Sequence, residues 1–172
     1  MHQLFTYQLN FMNKLKIENY LQILFVLCVL ILLSALIIEY ILGYQPCNLC
    51  IIERFPYAVS IVVLLLNHIF KKDRVFYSIL LILIFLFSIL ISIYHFGIEQ
   101  GFIEESMVCK SENLDLISKE DIINSLKKLR ISCKDVAFKI FDLSLTTYNI
   151  FISILMFLLS TKIYLLSNDV KK

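Results

Sequence analysis

Four uncharged or nearly uncharged stretches divide the chain. Three of them are long and cover residues 20–42, 75–96 and 143–166, and a shorter one covers 56–70. A helix rises about 1.5 Å per residue, so each long stretch reaches roughly 33 Å or more. That length is enough to cross a hydrocarbon core of about 30 Å. The three long stretches are therefore predicted to be membrane-spanning helices.

The shorter stretch needs a different explanation. Its 15 residues span only about 22 Å as a helix. A crossing helix must therefore begin earlier, and we expect it over 48–70, with Glu53, Arg54 and Pro56 inside it. Proline removes one backbone hydrogen bond, so a kink is expected there. Because charges are costly in a membrane, Glu53 and Arg54 call for a functional or structural partner.

The flanking charges predict the orientation. Lysine and arginine concentrate before helix 1, between helices 2 and 3, and after helix 4, and such basic flanks stay cytoplasmic. Four crossings put all three flanks on one side, so both termini are expected in the cytoplasm. The connections 43–50 and 97–142 then lie on the outer side. No small-residue cleavage site precedes helix 1, so removal of a signal peptide is not expected.

Composition supports the same class of protein. The chain of 172 residues is 59% hydrophobic and only 17% charged, against about 25% charged residues in soluble proteins. Its net charge is +2, and it has 3 Gly and 2 Pro. These values argue against disordered, collagen-like, coiled-coil, nucleic-acid-binding and turn-rich β proteins. We predict an all-α membrane protein, a four-helix transmembrane bundle forming one domain over 1–172, with a long periplasmic loop between helices 3 and 4.

That outer loop, 97–142, is the one large polar segment. The run Ser118-Lys-Glu-Asp121 resembles a helix-capping box, and apolar residues follow it at helical spacing. They are Ile122, Ile123, Leu126 and Leu129. A short amphipathic helix is expected, lying either on the membrane surface or in solvent.

Five cysteines carry the candidate chemistry. Cys28 falls inside helix 1, where a buried thiol normally only packs. Cys47, Cys50, Cys109 and Cys133 all fall on the outer side, where thiols commonly pair. Cys47-Asn-Leu-Cys50 is a C-x-x-C motif, which is typical of redox exchange or of half a zinc site. Cys109 and Cys133 can complete four zinc ligands, although their spacing is unlike that of a compact zinc ribbon.

The position of Cys50 favours reactivity. If helix 2 begins just after Pro46, Cys50 lies in its first turn, where free amide groups favour a thiolate. Arg54 follows four residues later on the same helix face, where its charge acts on the sulfur or on a polar ligand. Alternatively Arg54 points outward or pairs with Glu39. Glu53 is a poor partner for Arg54, because adjacent helical residues do not face each other.

At this point the sequence resembles the DsbB family of bacterial inner-membrane disulfide-generating oxidoreductases. The most specific block is PCNLCIIERFPY at 46–57, which is similar to the family's P-C-x-L-C-x-x-E/Q-R pattern. YHFGIEQG at 94–101 is similar to the segment where helix 3 leaves the membrane. The two separated loop cysteines, and Leu143-Ser144-Leu145 with Asn149, extend the resemblance over nearly the whole chain.

The resemblance implies a relay of disulfides. Cys47–Cys50 would be reoxidised by a quinone of the membrane, ubiquinone or menaquinone, and Cys109–Cys133 by that pair. A periplasmic DsbA-like thiol oxidase would give up its electrons to the loop disulfide, forming a mixed disulfide with Cys109. Cys50 would be the sulfur facing the quinone. A strongly oxidising partner of this type needs a still stronger terminal acceptor. From its residues alone, the loop pair is equally compatible with a structural staple.

Two further residues receive roles from the resemblance. Arg54 would hold the quinone oxygen or the nearby thiolate, and His95 would lie near the quinone as a hydrogen-bond or proton donor. An interfacial histidine satisfied by water or a carbonyl is the alternative for His95. The chain departs from the family at Phe102, where many relatives have Trp, and at 106–108, where many have Gly-Pro.

Three other functions are compatible with parts of the pattern. A dedicated DsbB-like variant would serve one substrate. A reductase similar to vitamin K epoxide reductase would also be a four-helix quinone enzyme, but its C-x-x-C usually follows the loop cysteines. A non-catalytic membrane protein would use its cysteines only to staple the outer loops.

Overall fold

The structure is a computed structural model, and it describes residues 2–70, 73–105, 109, 132–134, 139–140 and 143–171. The amphipathic helix expected after Ser118 and the departure at 106–108 lie outside these residues. Four helices account for most of the described chain: α1 His2–Tyr40, α2 Asn48–Ile69, α3 Arg74–Glu99 and α4 Leu145–Lys171. Two short strands, β1 Lys139–Ile140 and β2 Leu143–Ser144, pair antiparallel just before α4.

All four helices are long and apolar enough to cross a membrane, over 15–40, 48–69, 74–99 and 145–170. This confirms the predicted all-α, four-helix, multi-pass membrane protein. Each helix packs mainly against two neighbours, in the order α1, α2, α3, α4 and back to α1. We call the end where α1 and α3 finish and α2 and α4 begin the cysteine end of the bundle.

Several helix ends differ from the sequence expectation. α1 begins at His2 rather than near residue 20. Residues 2–19 contain neither Gly nor Pro, so the helix can extend beyond the apolar stretch. α4 begins at Leu145 rather than at residue 143, because Leu143 and Ser144 belong to β2. The Ser144 hydroxyl then accepts a hydrogen bond from the Thr147 amide at 3.3 Å, which caps the first turn of α4.

The interior of the bundle is lined by small hydroxyl side chains as well as by apolar ones. The hydroxyls of Ser88 and Ser153 lie 2.9 Å apart between α3 and α4, and Cys28 is fully buried in the main core, as expected. Many large apolar side chains face outward, among them Leu30, Phe55, Leu83, Leu90, Phe151 and Leu158, although others such as Phe85 are fully buried. Small residues between helices with large ones outside are typical of helices that pack within lipid.

Candidate active site

The structure brings four of the five cysteines together at the cysteine end. Cys47, Cys109 and Cys133 are buried in one cluster, and Cys50 packs against it. Cys109 and Cys133 form a disulfide with a Cα–Cα distance of 5.3 Å, whereas Cys47 and Cys50 are free thiols. Since Cys109 and Cys133 are bonded to each other, the four-cysteine zinc site considered from sequence is not formed. We refer to Cys47, Cys50, Cys109 and Cys133 as the cysteine cluster.

The start of α2 acts on Cys47 rather than on Cys50. Cys47 has extended backbone angles (φ −69°, ψ 169°) and occupies the N-cap position. Its sulfur accepts a hydrogen bond from the Cys50 amide at 3.1 Å. The sequence argument gave this stabilisation to Cys50, and the structure corrects it, because the helix begins one residue after Cys47 and the first-turn amide points back to the cap.

The surroundings of Cys47 favour its thiolate. The hydrogen bond from the Cys50 thiol lowers the pKa of Cys47 most, hydrogen bonding and charge from His95 add to this, and burial opposes it, leaving a pKa of about 5. An ordinary thiol has a pKa of about 8.5. Cys47 is therefore the thiolate of the reduced pair near neutral pH.

Behind Cys47 lies a buried histidine held by a buried carboxylate. The Nε2 atom of His95 is 3.5 Å from the Cys47 sulfur, and its Nδ1 atom is 3.0 Å from Glu53 Oε1. Thr146 Oγ1 also lies 3.4 Å from Nδ1. The ring therefore places Nδ1 against the Glu53 carboxyl group and Nε2 against the Cys47 sulfur. A histidine in this position can exchange a proton with the sulfur.

A cavity of about 150 Å³ adjoins the other side of the pair. Three helices line it, and among the lining side chains are Cys50, Glu53 and Arg54. Apolar residues of α1 and α4 form half of the remaining wall: Ile31, Ala35, Ile38, Leu145 and Ile152. His95 does not line this cavity, so the structure places it against Cys47 rather than beside a ligand in the cavity. We call this space the cysteine-end cavity.

Arg54 is held by a residue of another helix. Its guanidinium forms an ion pair with Glu39 of α1, which was one of the two alternatives left open by the sequence. Both side chains are partly buried, with 24% of each exposed. Arg54 nevertheless lines the cysteine-end cavity, so the ion pair fixes its position there without removing it from the cavity wall.

The end of α3 explains the two glycines of the YHFGIEQG segment at 94–101. Gly101 has a φ of +77°, a left-handed conformation that suits glycine, and its amide bonds to the Ile98 carbonyl at 3.0 Å. The Ile103 amide turns back to the Gly97 carbonyl at 3.1 Å. This turn ends α3 just after His95. Phe102, at the turn, is 84% exposed.

Sequence reasoning did not assign a role to two residues that complete the site. Glu53 was noted as a costly charge and as part of the 46–57 block but was given no role, yet it is 8% exposed and bonds to His95. Asn149 was left without a role, yet it lines the cysteine-end cavity and accepts a hydrogen bond from the Tyr57 hydroxyl at 2.6 Å. The cost of a charge within a membrane helix was the available signal for Glu53.

Comparison with known proteins adds a family to this geometry. A family model described as "Disulfide bond formation protein DsbB" matches residues 18–163. An uncharacterized protein of Rickettsia prowazekii (strain Madrid E) is 32% identical over 151 residues, which cover 85% of this chain and 87% of the relative. No solved structure matches the chain.

Proposed function

Because the chain belongs to the DsbB family of disulfide bond formation proteins, we propose that this membrane oxidoreductase reoxidises a periplasmic DsbA-like dithiol and delivers the electrons to a membrane quinone. It sits in the bacterial inner membrane with both termini in the cytoplasm and the cysteine cluster on the periplasmic side. The overall reaction converts one dithiol and one quinone into one disulfide and one quinol. Two electrons and two protons move, so the reaction balances without another reactant.

The observation that carries this proposal is the contact between the two cysteine pairs beside a cavity. Cys47 shares a buried cluster with Cys109 and Cys133, and Cys50 lines the cysteine-end cavity. Exchange between the pairs therefore needs only short movements of sulfur. One reduced and one oxidised pair in contact is an arrangement expected midway through a disulfide relay.

The two cysteine pairs react in sequence, first the loop pair with the partner and then the loop pair with Cys47–Cys50. The partner's thiolate attacks the loop disulfide at Cys109 and forms a mixed disulfide, and the Cys133 sulfur is released as a thiolate. A second attack by the partner's other sulfur frees the partner in its oxidised form. The loop dithiol then reduces Cys47–Cys50 by the same chemistry. His95 Nε2, 3.5 Å from the Cys47 sulfur, is within reach of that sulfur's proton.

The cysteine-end cavity has features suited to a quinone ring. Apolar walls suit a ring that is soluble in lipid, the Cys50 sulfur supplies electrons, and Arg54 supplies a donor for a ring oxygen. A bound ubiquinone or menaquinone would accept two electrons and two protons from the dithiol. Arg54 is kept at the wall by Glu39, so its donors do not have to be ordered when the ring binds.

An anaerobic assay tests this function. Purified protein in detergent is mixed with a reduced DsbA-like partner and a short-chain quinone, and the quinone absorbance is followed. Loss of absorbance far above the uncatalysed rate is expected. If quinone absorbance falls only at the uncatalysed rate, although the partner is active and the cysteines are intact, the proposed function is excluded. The alternative of a structural membrane protein stapled by disulfides would then be favoured.

Two variants separate the half-reactions. Arg54→Ala is expected to weaken quinone reduction while disulfide exchange with the partner continues. Cys109→Ala is expected to abolish disulfide exchange with the partner while Cys47 and Cys50 still reduce quinone.

Arg74→Ala is the matched control for Arg54→Ala. Arg74 also pairs with a glutamate, Glu18, and it lines a cavity at the far end of the bundle. Equal loss of both half-reactions in Arg54→Ala and Cys109→Ala would contradict the roles assigned to them.

A further inference from the structure

Three atoms of the types that bind soft metal ions converge at the cysteine end. The sulfurs of Cys47 and Cys50 and a ring nitrogen of His95 all lie within 4.8 Å of one another. In tetrahedral zinc sites a sulfur about 2.3 Å and a nitrogen about 2.0 Å from the metal lie roughly 3.6 Å apart. Cys47 Sγ and His95 Nε2 are 3.5 Å apart, so these two atoms already stand at the separation that a shared metal ion requires.

The residue behind His95 completes the pattern of a metal site. Glu53 Oε1 holds His95 Nδ1 at 3.0 Å, which directs Nε2 toward the sulfurs. Metal-binding histidines usually have a carboxylate or carbonyl on the other ring nitrogen in this way. Glu53 and His95 are both buried, at 8% and 3% exposure, so the ring is fixed before any ion arrives.

We propose that the reduced Cys47–Cys50 pair and His95 bind one thiophilic divalent cation of the zinc class, and that the bound ion blocks disulfide formation. The metal binds two thiolates and one neutral imidazole, and the two protons of the dithiol pass to solvent, including one held on His95 Nε2 where Cys47 has transferred its proton to the ring. No electrons move, and both sulfurs stay reduced. Three protein ligands leave a fourth position for water. Binding does not depend on the proposed function, whereas the inhibition rests on it.

The oxidation state of the pair controls this site. A disulfide between Cys47 and Cys50 uses the electrons that the thiolates would give to the ion, so the oxidised protein loses two of its three ligands. Metal binding and the Cys47–Cys50 disulfide therefore exclude each other. The expected consequence is inhibition that grows when reduced protein accumulates and is reversed by a chelator.

Cobalt(II) is the probe, because cobalt bound to thiolates absorbs visibly. The full chain, carrying Cys109→Ser and Cys133→Ser to remove the loop thiols, is reduced anaerobically in detergent and titrated with the metal alone. We expect one ion per chain and an absorption band that disappears in Cys47→Ala and in Cys50→Ala. Cys28→Ala is the matched control and should bind as the parent does.

Two further readouts sharpen the assignment. Glu53→Gln should weaken cobalt binding by about 10–100-fold, as loss of an outer carboxylate usually does, and zinc should inhibit quinone reduction with a midpoint near its dissociation constant. A band that persists in Cys47→Ala, equal binding by oxidised protein, or no band in the reduced protein would each overturn the inference. Protein that reduces quinone but binds no cobalt refutes the metal site alone. Protein that binds cobalt but reduces no quinone refutes the proposed function alone.

Discussion

The bundle has a cavity toward each of its ends, and the smaller one is the one beside the cysteines. The far cavity, between α1, α2 and the start of α3, measures about 370 Å³, against about 150 Å³ for the cysteine-end cavity. Each has in its wall an arginine that pairs with a glutamate, Arg74 with Glu18 in one and Arg54 with Glu39 in the other. The far cavity has no cysteine among its lining residues. Sulfur, rather than volume or charge, therefore distinguishes the candidate site.

The largest expected effect comes from removing that sulfur. Cys50→Ala should lower quinone reduction by about 10⁴-fold or more, as loss of a reacting group in a catalytic unit commonly does. Cys28→Ala, which removes a buried thiol from the main core, should keep nearly full activity. The measurement is the initial rate of quinone absorbance loss with reduced partner. Comparable losses in the two variants would mean that the assay reports folding rather than chemistry.

Filling one cavity at a time is the next test. Ala35 lines the cysteine-end cavity and Val26 lines the far one. Ala35→Phe should raise the apparent KM for a short-chain quinone by about tenfold or more, equivalent to about 1.4 kcal/mol, while partner exchange continues. Val26→Phe should change neither. An effect confined to Val26→Phe would move the quinone site to the far end of the bundle.

A smaller effect concerns pH. Since the pKa of Cys47 is lowered to about 5, its thiolate should persist on acidification and disappear only as the pH falls through about 5. Cys50→Ala should raise this midpoint most, because the Cys50 thiol is the largest cause of the lowered pKa, and His95→Gln should raise it less. The ultraviolet absorbance of the thiolate, taken as the difference from reduced Cys47→Ala with chelator present, measures each midpoint. An unchanged midpoint in both variants would contradict the hydrogen bonds assigned to Cys47.

The smallest expected effect lies between the two ends. Ser153 contacts the Ser88 hydroxyl at 2.9 Å and the Tyr57 hydroxyl at 3.0 Å. Ser153→Ala should lower the free energy of unfolding by about 0.6 kcal/mol, the average for hydrogen bonds between membrane helices. Quinone reduction should remain as in the parent. Denaturation in mixed micelles gives the first quantity, and a large loss of activity without a loss of stability would tie this network to the chemistry.

The helices were predictable because lipid leaves the backbone few options. Within a membrane every amide must bond inside the protein, so an apolar stretch of spanning length becomes a helix. The start of α1 at residue 2 was not predictable from hydropathy, because outside the membrane the intrinsic helix propensity of the residues decides where a helix begins. The basic flanks predict that the four clustered cysteines lie on the outer side of the membrane, and this stays a prediction.

The contacts within the site were less accessible to sequence reasoning. Glu53 and His95 lie 42 positions apart in the chain, and their meeting depends on how α2 and α3 are rotated about their axes. The sequence left Arg54 beside the Cys50 sulfur or a ligand, pointing outward, or paired with Glu39, and the packing of α1 on α2 forms the pair with Glu39. The first-turn amide, that of Cys50, donates its hydrogen bond to the Cys47 sulfur and not to the Cys50 sulfur. This choice depends on the exact residue at which α2 begins.

The cap of α2 also gives the molecule a built-in reporter. Since the Cys50 amide ends on the Cys47 sulfur at 3.1 Å, the resonance frequency of that amide proton depends on whether the sulfur is anionic, protonated or covalently engaged. Selective nitrogen-15 labelling of cysteine would reduce the spectrum to five backbone amides, and the Cys50 signal among them would record turnover. The spectrum would follow each stage of the cycle without a dye, a partner tag or any change in the chain.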